Sequence, residues 1–399
     1  MLIRSFTVGV SAVVMMAAVT ACDTEPATAP LPSFTRVANG SATLEWQEQA
    51  RNLVAANRLS PLATGRVLAA LGVAQHNAVK GVDATNAEQD PAGGGYGAGG
   101  RAQFEANRGA VAGASAQVLA FFFPAAATTL EQRVADMGEA GPGDAHPDYA
   151  HGVTIGRVAG NAIVERTRND GFTRPWVGPA PTGSGIWTPE ALPPAGGTLG
   201  SVTPYYLTSG SQFRPAPPPA FGSSAFNADL NGVITTTLNR TPVQLAIARL
   251  WDYAAGTPTP VGYWNSKAAA LVQENNLGDF EATRVFALMQ SAVFDALIGC
   301  WDAKYYYWTI RPYQASSAVS LALGRPNHPS YPSGHSCVSS SSGRVLAHFF
   351  PEHTSELNAL VEEAGMSRVY AGIHYMFDVT AGQQLGRAVA EWALAHAAQ

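Results

Sequence analysis

The feature that most constrains this fold is the spacing of its apolar residues, which recur at helical intervals in one segment after another. The segment after Ser60-Pro61 illustrates the pattern, since a serine suits the cap of a helix and a proline its first turn. Its apolar positions follow a period of 3.6 residues: Leu62, Val67, Ala70, Leu71, Ala74 and Ala78. Strand-like alternation is scarce along the chain. The sequence therefore predicts an all-α protein.

Further helices are predicted wherever this spacing recurs, and no internal repeat is evident. The predicted helices cover residues 104–122, 125–137, 149–168, 225–238, 241–253, 263–273, 280–308, 335–350 and, with breaks, 354–396. A glycine-rich loop is predicted at 93–100. Residues 171–222 are rich in proline, glycine and aromatic residues and have no period. An irregular segment of this length inside a compact domain usually has a function or wraps the surface.

The amino terminus has the composition of an export signal. One positive charge precedes an apolar run that is too short for a comfortable membrane span, so residues 1–21 are predicted to be a signal peptide. Val19-Thr20-Ala21-Cys22 resembles the lipobox of bacterial lipoproteins, which makes Cys22 the expected site of lipidation. The alternative is an ordinary signal peptide with an incidental cysteine. Residues 22–45, rich in Pro, Thr, Ala and Ser, are predicted to be a flexible tether.

The remaining residues, 46–399, are predicted to form a single helical domain. With 46% hydrophobic and 13% charged residues, the chain can bury a large core. Its net charge of −5 argues against a nucleic-acid partner, which normally needs a basic face. We expect an exported protein of the bacterial cell envelope, attached to a membrane only through a lipid anchor. The sequence is compatible with a homo-oligomer.

Residues 304–312 hold the first of three motifs, which all lie in residues 301–380. Lys304 and Arg311 are seven residues apart, nearly two helical turns, so a helix would direct both from almost the same face. Pro312 disfavours helical geometry at Arg311 and should end the helix there. Two cations on one face at a helix end favour an anion site; the alternative is a pair of solvated surface cations.

The second motif, Tyr331-Pro332-Ser333-Gly334-His335, runs directly into a predicted helix. Free N–H groups and partial positive charge make helix N-termini sites for anions. Ser333 can add a hydroxyl, Gly334 permits close approach of the backbone, and His335 is placed to give or take a proton. The alternative is a simple helix cap.

The third motif runs from Ser367-Arg368 to His374 and Asp378. His374 and Asp378 are four residues apart, so on a helix the carboxylate would hold one ring nitrogen and leave the other as a nucleophile or ligand. Arg368 precedes His374 by six residues, and Gly372 would provide a break that lets both face one site. Taken alone, such a His–Asp pair is often structural.

Together the three motifs fill every position of a known signature. The pattern Lys-x6-Arg-Pro, Pro-Ser-Gly-His and Ser-Arg-x5-His-x3-Asp resembles that of the type 2 phosphatidic acid phosphatases and the vanadium-dependent haloperoxidases. The resemblance implies a fold of paired four-helix bundles. It also implies that a set of residues holds the oxygens of vanadate or phosphate: Lys304, Arg311, Ser333, Gly334 and Arg368. By the same resemblance His374 bonds to vanadium or phosphorus, Asp378 orients it, and His335 is the acid or base.

Further resemblance favours the bacterial secreted haloperoxidases. It extends over most of the chain, including Trp251-Asp252, Gly262-Tyr263-Trp264-Asn265 and residues 295–308, where Trp301 also fits that branch. His328 stands where bromoperoxidase-like sequences carry His, and it would tune peroxide activation; the alternative is an ordinary surface histidine. The leading prediction is a vanadate-dependent haloperoxidase that uses hydrogen peroxide and a halide. The alternative is a phosphatase that hydrolyses phosphate esters through a phosphohistidine and needs no cofactor.

Two details stay open at this level. Arg368 is expected to need a carboxylate partner, for which Asp252 and Asp295 are both candidates. Cys300 and Cys337 lie near the motifs, and in an exported protein they could form a disulfide if their Cα atoms approach closely enough.

Overall fold

The computed structural model describes residues 41–89, 100–139 and 147–397, and in these ranges it contains thirteen α-helices and no β-strand. The all-α prediction is confirmed. The helices are α1 Ala42–Ala56, α2 Pro61–Gln89, α3 Arg101–Phe122, α4 Ala127–Glu139, α5 Pro147–Arg168, α6 Ser224–Leu238, α7 Pro242–Leu250, α8 Thr259–Glu274, α9 Asp279–Tyr307, α10 Pro312–Ala315, α11 Gly334–Phe349, α12 Thr354–Tyr370 and α13 Met376–His396.

The long helix α9 is the centre of the fold. It packs against α2, which packs with α3 and α5, and also against α11 and α13, which pack with α12. The helices therefore form two groups that have α9 in common. By length and composition α9 could cross a membrane, but 94% of its most apolar window is buried inside the protein. Within the described residues it is a core helix, and its last turn carries Lys304.

The first described helix was not predicted. α1 begins at Ala42, inside the range 22–45 expected to be a tether, and it buries Trp46, Ala50 and Val54 on one face. Its start is fixed to α9, because the backbone N–H and the hydroxyl of Thr43 both donate to Asp279, at 2.9 and 2.8 Å. The predicted signal peptide, Cys22 and most of the predicted glycine-rich loop lie outside the described residues.

The irregular segment predicted at 171–222 is confirmed, with one 3₁₀ turn at Leu199–Ser201. The buried carboxylate of Asp295 on α9 holds this segment by accepting the backbone N–H groups of Tyr205, Tyr206 and Leu207, at 2.7, 2.7 and 3.1 Å. Burial raises the pKa of Asp295 to about 6, while the three N–H donors oppose that rise. Asp295 therefore anchors the irregular segment and is not the partner of Arg368.

Candidate active site

Lys304 and Arg311 do not share a helix face, so that prediction was wrong. α9 ends at Tyr307, and Trp308 has a left-handed conformation with a φ of 50°. Arg311 follows in extended geometry, with φ −80° and ψ 152°, as the residue before α10. Pro312 still ends helical geometry as expected. The two cations lie in one region because the chain reverses after α9, and both side chains are fully buried.

Lys304 fixes the loop that precedes α11. Its ammonium group donates to the carbonyl oxygens of Pro329, Ser330 and Pro332, at 2.9, 2.8 and 2.5 Å. An ammonium group has three protons, so direct donation to an oxyanion would require one of these bonds to break. Burial lowers the pKa of Lys304 to about 8. Its predicted role as an oxyanion ligand is thus joined by a role in holding the loop.

Arg311 connects this loop to the third motif. Its Nη1 donates to the carbonyl of Ile373 at 2.5 Å and approaches Nε2 of His374 at 3.1 Å. Its Nη2 approaches Nδ1 of His328 at 3.1 Å, and its Nε donates to the carbonyl of His328 at the same distance. A guanidinium group has only donors, so Nε2 of His374 and Nδ1 of His328 are the acceptors and carry lone pairs.

His374 lies in the loop before α13, so its predicted place on a helix was wrong. Gly372, with a φ of 79°, allows the chain to turn between α12 and α13, as expected from the sequence. Asp378 is in the first turn of α13, and its Oδ2 accepts Nδ1–H of His374 at 2.7 Å. Burial depresses the pKa of His374 well below its usual range, and the positive charge of Arg311 is the second-largest cause. The result is a neutral imidazole with Nε2 unprotonated.

Ser330 supports this pair and was missed by sequence reasoning. Its hydroxyl donates to Oδ2 of Asp378 at 2.6 Å, and the backbone N–H of Tyr375 donates to the same oxygen at 3.1 Å. Burial raises the pKa of Asp378 to about 6, and the bond from Ser330 opposes that rise. The other oxygen, Oδ1, is buried and has no hydrogen-bond partner among the described residues.

The amino terminus of α11 presents free donors. Ser333 caps the helix by accepting the N–H of Ser336 at 3.4 Å. No acceptor among the described residues faces the N–H groups of Gly334 and His335. A side chain at Gly334 would bring its Cβ within 3.1 Å of the Trp301 ring, so glycine allows the ring and the helix end to meet.

His335 is held by a backbone contact. Its Nε2 lies 2.7 Å from the carbonyl oxygen of Trp251, which can only accept, so Nε2 carries the proton and Nδ1 carries the lone pair. Burial, followed by the charge of Arg368, lowers the pKa of His335 well below its usual range. His335 is therefore neutral at pH 7.

Arg368 is fixed from two directions. Its Nε donates to the hydroxyl of Ser367, and its Nη2 donates to the carbonyl of Ala248, both at 2.8 Å. Burial lowers its pKa to about 10, and the charge of Asp252 opposes this. Of the two carboxylates considered from the sequence, Asp252 is the one that acts on Arg368.

A cavity of 770 Å³ joins the three motifs. Four of the predicted residues line it: Gly334, His335, Arg368 and His374. The other four do not line it and are fully buried: Lys304, Arg311, Ser333 and Asp378. The proposed tuning residues also line it, with the rings of Trp301 and His328 at a centroid distance of 5.0 Å.

The two cysteines are buried and unpaired. The thiol of Cys300 lies 3.8 Å from the carbonyl oxygen of Pro332, in the loop that Lys304 holds. Of the two alternatives left open by the sequence, the described structure has the free thiols. It also contains no cluster of three or more His, Cys, Asp or Glu residues suited to a metal ion in the described ranges.

Comparison of the sequence with known proteins matches the part of the chain that contains the three motifs. The model of the PAP2 superfamily matches residues 284–398. A non-specific acid phosphatase of Salmonella typhi is 36% identical over 89 residues, 21% of this chain and 36% of that enzyme. One from Providencia stuartii is 27% identical over 203 residues, 48% of this chain and 79% of that enzyme. The chain thus matches only about a third of the length of the Salmonella enzyme.

Comparison of the structure with solved structures establishes the fold. A bacterial vanadium-dependent iodoperoxidase matches with a TM-score of 0.71 and 23% identity, over 89% of this chain and 95% of that one. The apo form of a bacterial vanadium-dependent chloroperoxidase matches with a TM-score of 0.64 and 16% identity, over 84% and 94%. The helical fold is that of these haloperoxidases, and residues 284–398 are a PAP2 superfamily region by their match to that family model.

Proposed function

We propose that this protein is a vanadate-dependent haloperoxidase that oxidises bromide with hydrogen peroxide. The observation that carries the proposal is the fixed, neutral His374. Its Nδ1–H is held by Asp378, and its Nε2 lone pair lies beside the guanidinium group of Arg311, at a cavity wall. The orientation of this lone pair is suited to bond to the central atom of a tetrahedral oxyanion, once the hydrogen bond from Arg311 is given up.

The residues around His374 fit vanadate. Its oxygens are acceptors, and the cavity wall offers donors: the free N–H groups of Gly334 and His335 and the guanidinium group of Arg368. The guanidinium group of Arg311 lies behind this wall and is bonded to His328, Ile373 and His374. The single imidazole ligand agrees with the absence of a multi-residue metal cluster from the described ranges. Bound vanadate would supply the Lewis-acid centre at which hydrogen peroxide is activated toward halide.

The tautomer of His335 suits the base that this chemistry needs, because Nε2 is bonded to the carbonyl of Trp251 and Nδ1 carries the lone pair. A phosphatase needs a protonated group to donate to the leaving oxygen, whereas a neutral His335 has Nδ1 available to accept a proton from hydrogen peroxide. Burial, followed by the positive charge of Arg368, lowers the pKa of His335 and so keeps it neutral. His335 is the base in this proposal.

Phosphate-ester hydrolysis is the second candidate, since the curated relatives that match the motif region are acid phosphatases. The same site would serve, because phosphate and vanadate have the same shape and similar charge. Nε2 of His374 would attack phosphorus, and His335 would have to gain a proton before the leaving oxygen departs. The family resemblance covers both reactions.

The deciding experiment is bromide-dependent halogenation of a dye by the purified protein with peroxide, with and without orthovanadate. Iodide is assayed beside bromide, and phosphate-ester hydrolysis is assayed without vanadate. Halogenation that depends on vanadate is the expected result. Hydrolysis that vanadate inhibits, without halogenation, would make the protein a phosphatase. His374→Ala is expected to remove either activity, and its failure to do so would overturn the site itself.

We also propose export to the bacterial cell envelope with a lipid anchor at Cys22. The proposal rests on residues 1–22 of the sequence, which lie outside the described structure. It gives the enzyme access to peroxide and halide outside the cytoplasm and requires no other membrane contact.

A further inference from the structure

The cavity above the site is much larger than a tetrahedral oxyanion needs. Its volume of 770 Å³ falls within the range of about 300–1,000 Å³ typical of pockets that bury an organic ligand. The oxyanion-binding residues occupy only one part of its wall. The remainder of the wall requires an explanation of its own.

Much of that remaining wall is apolar, and the irregular segment 171–222 contributes a large share of it. The segment contributes Phe172, Trp176, Pro194 and Leu199, and Leu62 at the start of α2 adds to them. Trp176 is half-buried, so part of its surface is open to the cavity that it lines. Flat apolar walls of this kind are suited to an aromatic ring.

The wall is held rigidly against the site. The carbonyl of Ala195 accepts Nε1–H of Trp301 at 3.0 Å and the hydroxyl of Tyr305 at 2.7 Å, and its N–H donates to the carbonyl of Asn327 at 2.8 Å. Gly196 has a φ of 71°, and a Cβ there would lie 2.5 Å from Nε1 of Trp301. A wall fixed in this way loses little conformational freedom when a ligand binds.

The mouth of the cavity is positively charged. Two exposed arginines line it, Arg174 and Arg325, whereas Asp252 beside Arg368 is its only lining carboxylate among the described residues. Arg325 pairs with Glu190 at 3.7 Å. Arg174 has no ion pair within the described ranges. An anionic group of a ligand could therefore pair with Arg174 and neutralise its charge.

We propose that this chamber binds the organic substrate of the enzyme, a flat aromatic anion whose ring lies against Trp176 and whose charge faces Arg174. The proposal rests on the proposed function, since it names the acceptor that the oxidised halide would meet. If the protein is instead a phosphatase, the chamber would bind the aromatic part of a phosphate ester. Both substrates join an aromatic ring to negative charge, and the test below separates them.

The test measures binding of 2-naphthoate and neutral 2-naphthol to the full protein by calorimetry, without peroxide, halide or vanadate. Saturating inorganic phosphate keeps the naphthoate carboxylate out of the oxyanion site. We expect naphthoate to bind about tenfold more tightly than naphthol, as one charge-assisted contact provides. Arg174→Gln should remove that preference and leave naphthol unchanged. Trp176→Ala should weaken both ligands by about tenfold. Arg387→Gln, which changes an exposed arginine of α13 outside the cavity, is the matched control.

Two results would overturn the chamber proposal: no naphthoate binding at millimolar concentration in the presence of saturating phosphate, or equal binding of the two ligands. Failure of the proposed function looks different. Binding that depends on Arg174 and Trp176, without any halogenation, would retain the chamber and remove the haloperoxidase. In that case 2-naphthyl phosphate is assayed as an ester, and a KM that rises in Trp176→Ala would identify it as the substrate class.

Discussion

The hydroxyl of Ser330 should control the pH range over which the site binds an oxyanion. It donates to Oδ2 of Asp378 at 2.6 Å in a fully buried setting, and the partner oxygen Oδ1 has no bond among the described residues. A hydrogen bond to a charged group contributes about 1.5–3 kcal/mol. One pKa unit corresponds to about 1.4 kcal/mol. The pKa of Asp378 is about 6. Loss of the hydrogen bond in Ser330→Ala should raise this pKa by about one to two pH units.

The expected consequence follows from the sign of this change. Ionised Asp378 accepts Nδ1–H of His374 much more strongly than the protonated carboxyl group does, and its negative charge makes the Nε2 lone pair a better ligand. Below pH 6 the carboxyl is largely protonated in both proteins but more completely in the variant, so orthovanadate should bind the variant about 10–100-fold more weakly. Near pH 9 Asp378 is largely ionised in both, and the two affinities should converge.

The assay is orthovanadate binding by calorimetry or vanadium NMR between pH 5.5 and 9, expressed as the ratio of the two dissociation constants. Taking the ratio at each pH cancels the effects that titration of vanadate and of Lys304 have on both dissociation constants. Ser340→Ala is the control. Ser340, on α11, is buried like Ser330, but its hydroxyl donates to a neutral group, the carbonyl of Gln383, at 2.7 Å. A Ser330→Ala ratio that stays constant across the pH range, as expected for the control, would refute the reasoning.

Three further predictions concern residues with separate roles. The pKa of His335 is below its usual 6.5 in the folded protein, so the unfolded chain binds the extra proton and stability should fall as the pH drops below 6.5. His335→Asn should flatten that dependence by about 1.4 kcal/mol per pH unit in urea unfolding, and an unchanged slope would contradict it. Asp295→Asn should cost about 1.5–3 kcal/mol of unfolding free energy above pH 6 without changing vanadate affinity; reduced affinity would instead tie Asp295 to the site. Cys22→Ser should move the protein from the membrane fraction to the soluble fraction, and an unchanged distribution would exclude the lipid anchor.

The sequence predicted which side chains meet at the site but not how they meet. Lys304 and Arg311 were expected to share a helix face, yet the chain leaves the helix at Trp308 and Arg311 arrives in extended geometry. His374 was expected on a helix and lies before one. In each case the sequence motif identified the residues that come together, but the predicted helical backbone was wrong. Burial and hydrogen bonds to distant residues determine the backbone at these positions. Gly372 was the one turn that the sequence indicated.

Contacts between distant segments could not be predicted. Ser330 is 48 residues from Asp378 in the chain, and nothing in the triplet His328-Pro329-Ser330 identifies its partner. The anchoring of the irregular segment by Asp295 spans 90 residues to Tyr205. By contrast, α1 could have been predicted, since Trp46, Ala50 and Val54 recur every four residues; the proline-rich stretch before them obscured it.

The charge balance of the buried site explains why the same residues suit two reactions. Lys304, Arg311 and Arg368 are all buried, and burial lowers the pKa of each. The nearby carboxylates are Asp378, already paired with His374, and Asp252, so the cations rely mainly on backbone carbonyls. Carbonyls satisfy hydrogen bonds but do not neutralise charge, so a bound oxyanion is favoured whether its centre is phosphorus or vanadium. What distinguishes the two reactions must then lie above this site, in the proton carried by His335 and in the chamber that admits the second substrate.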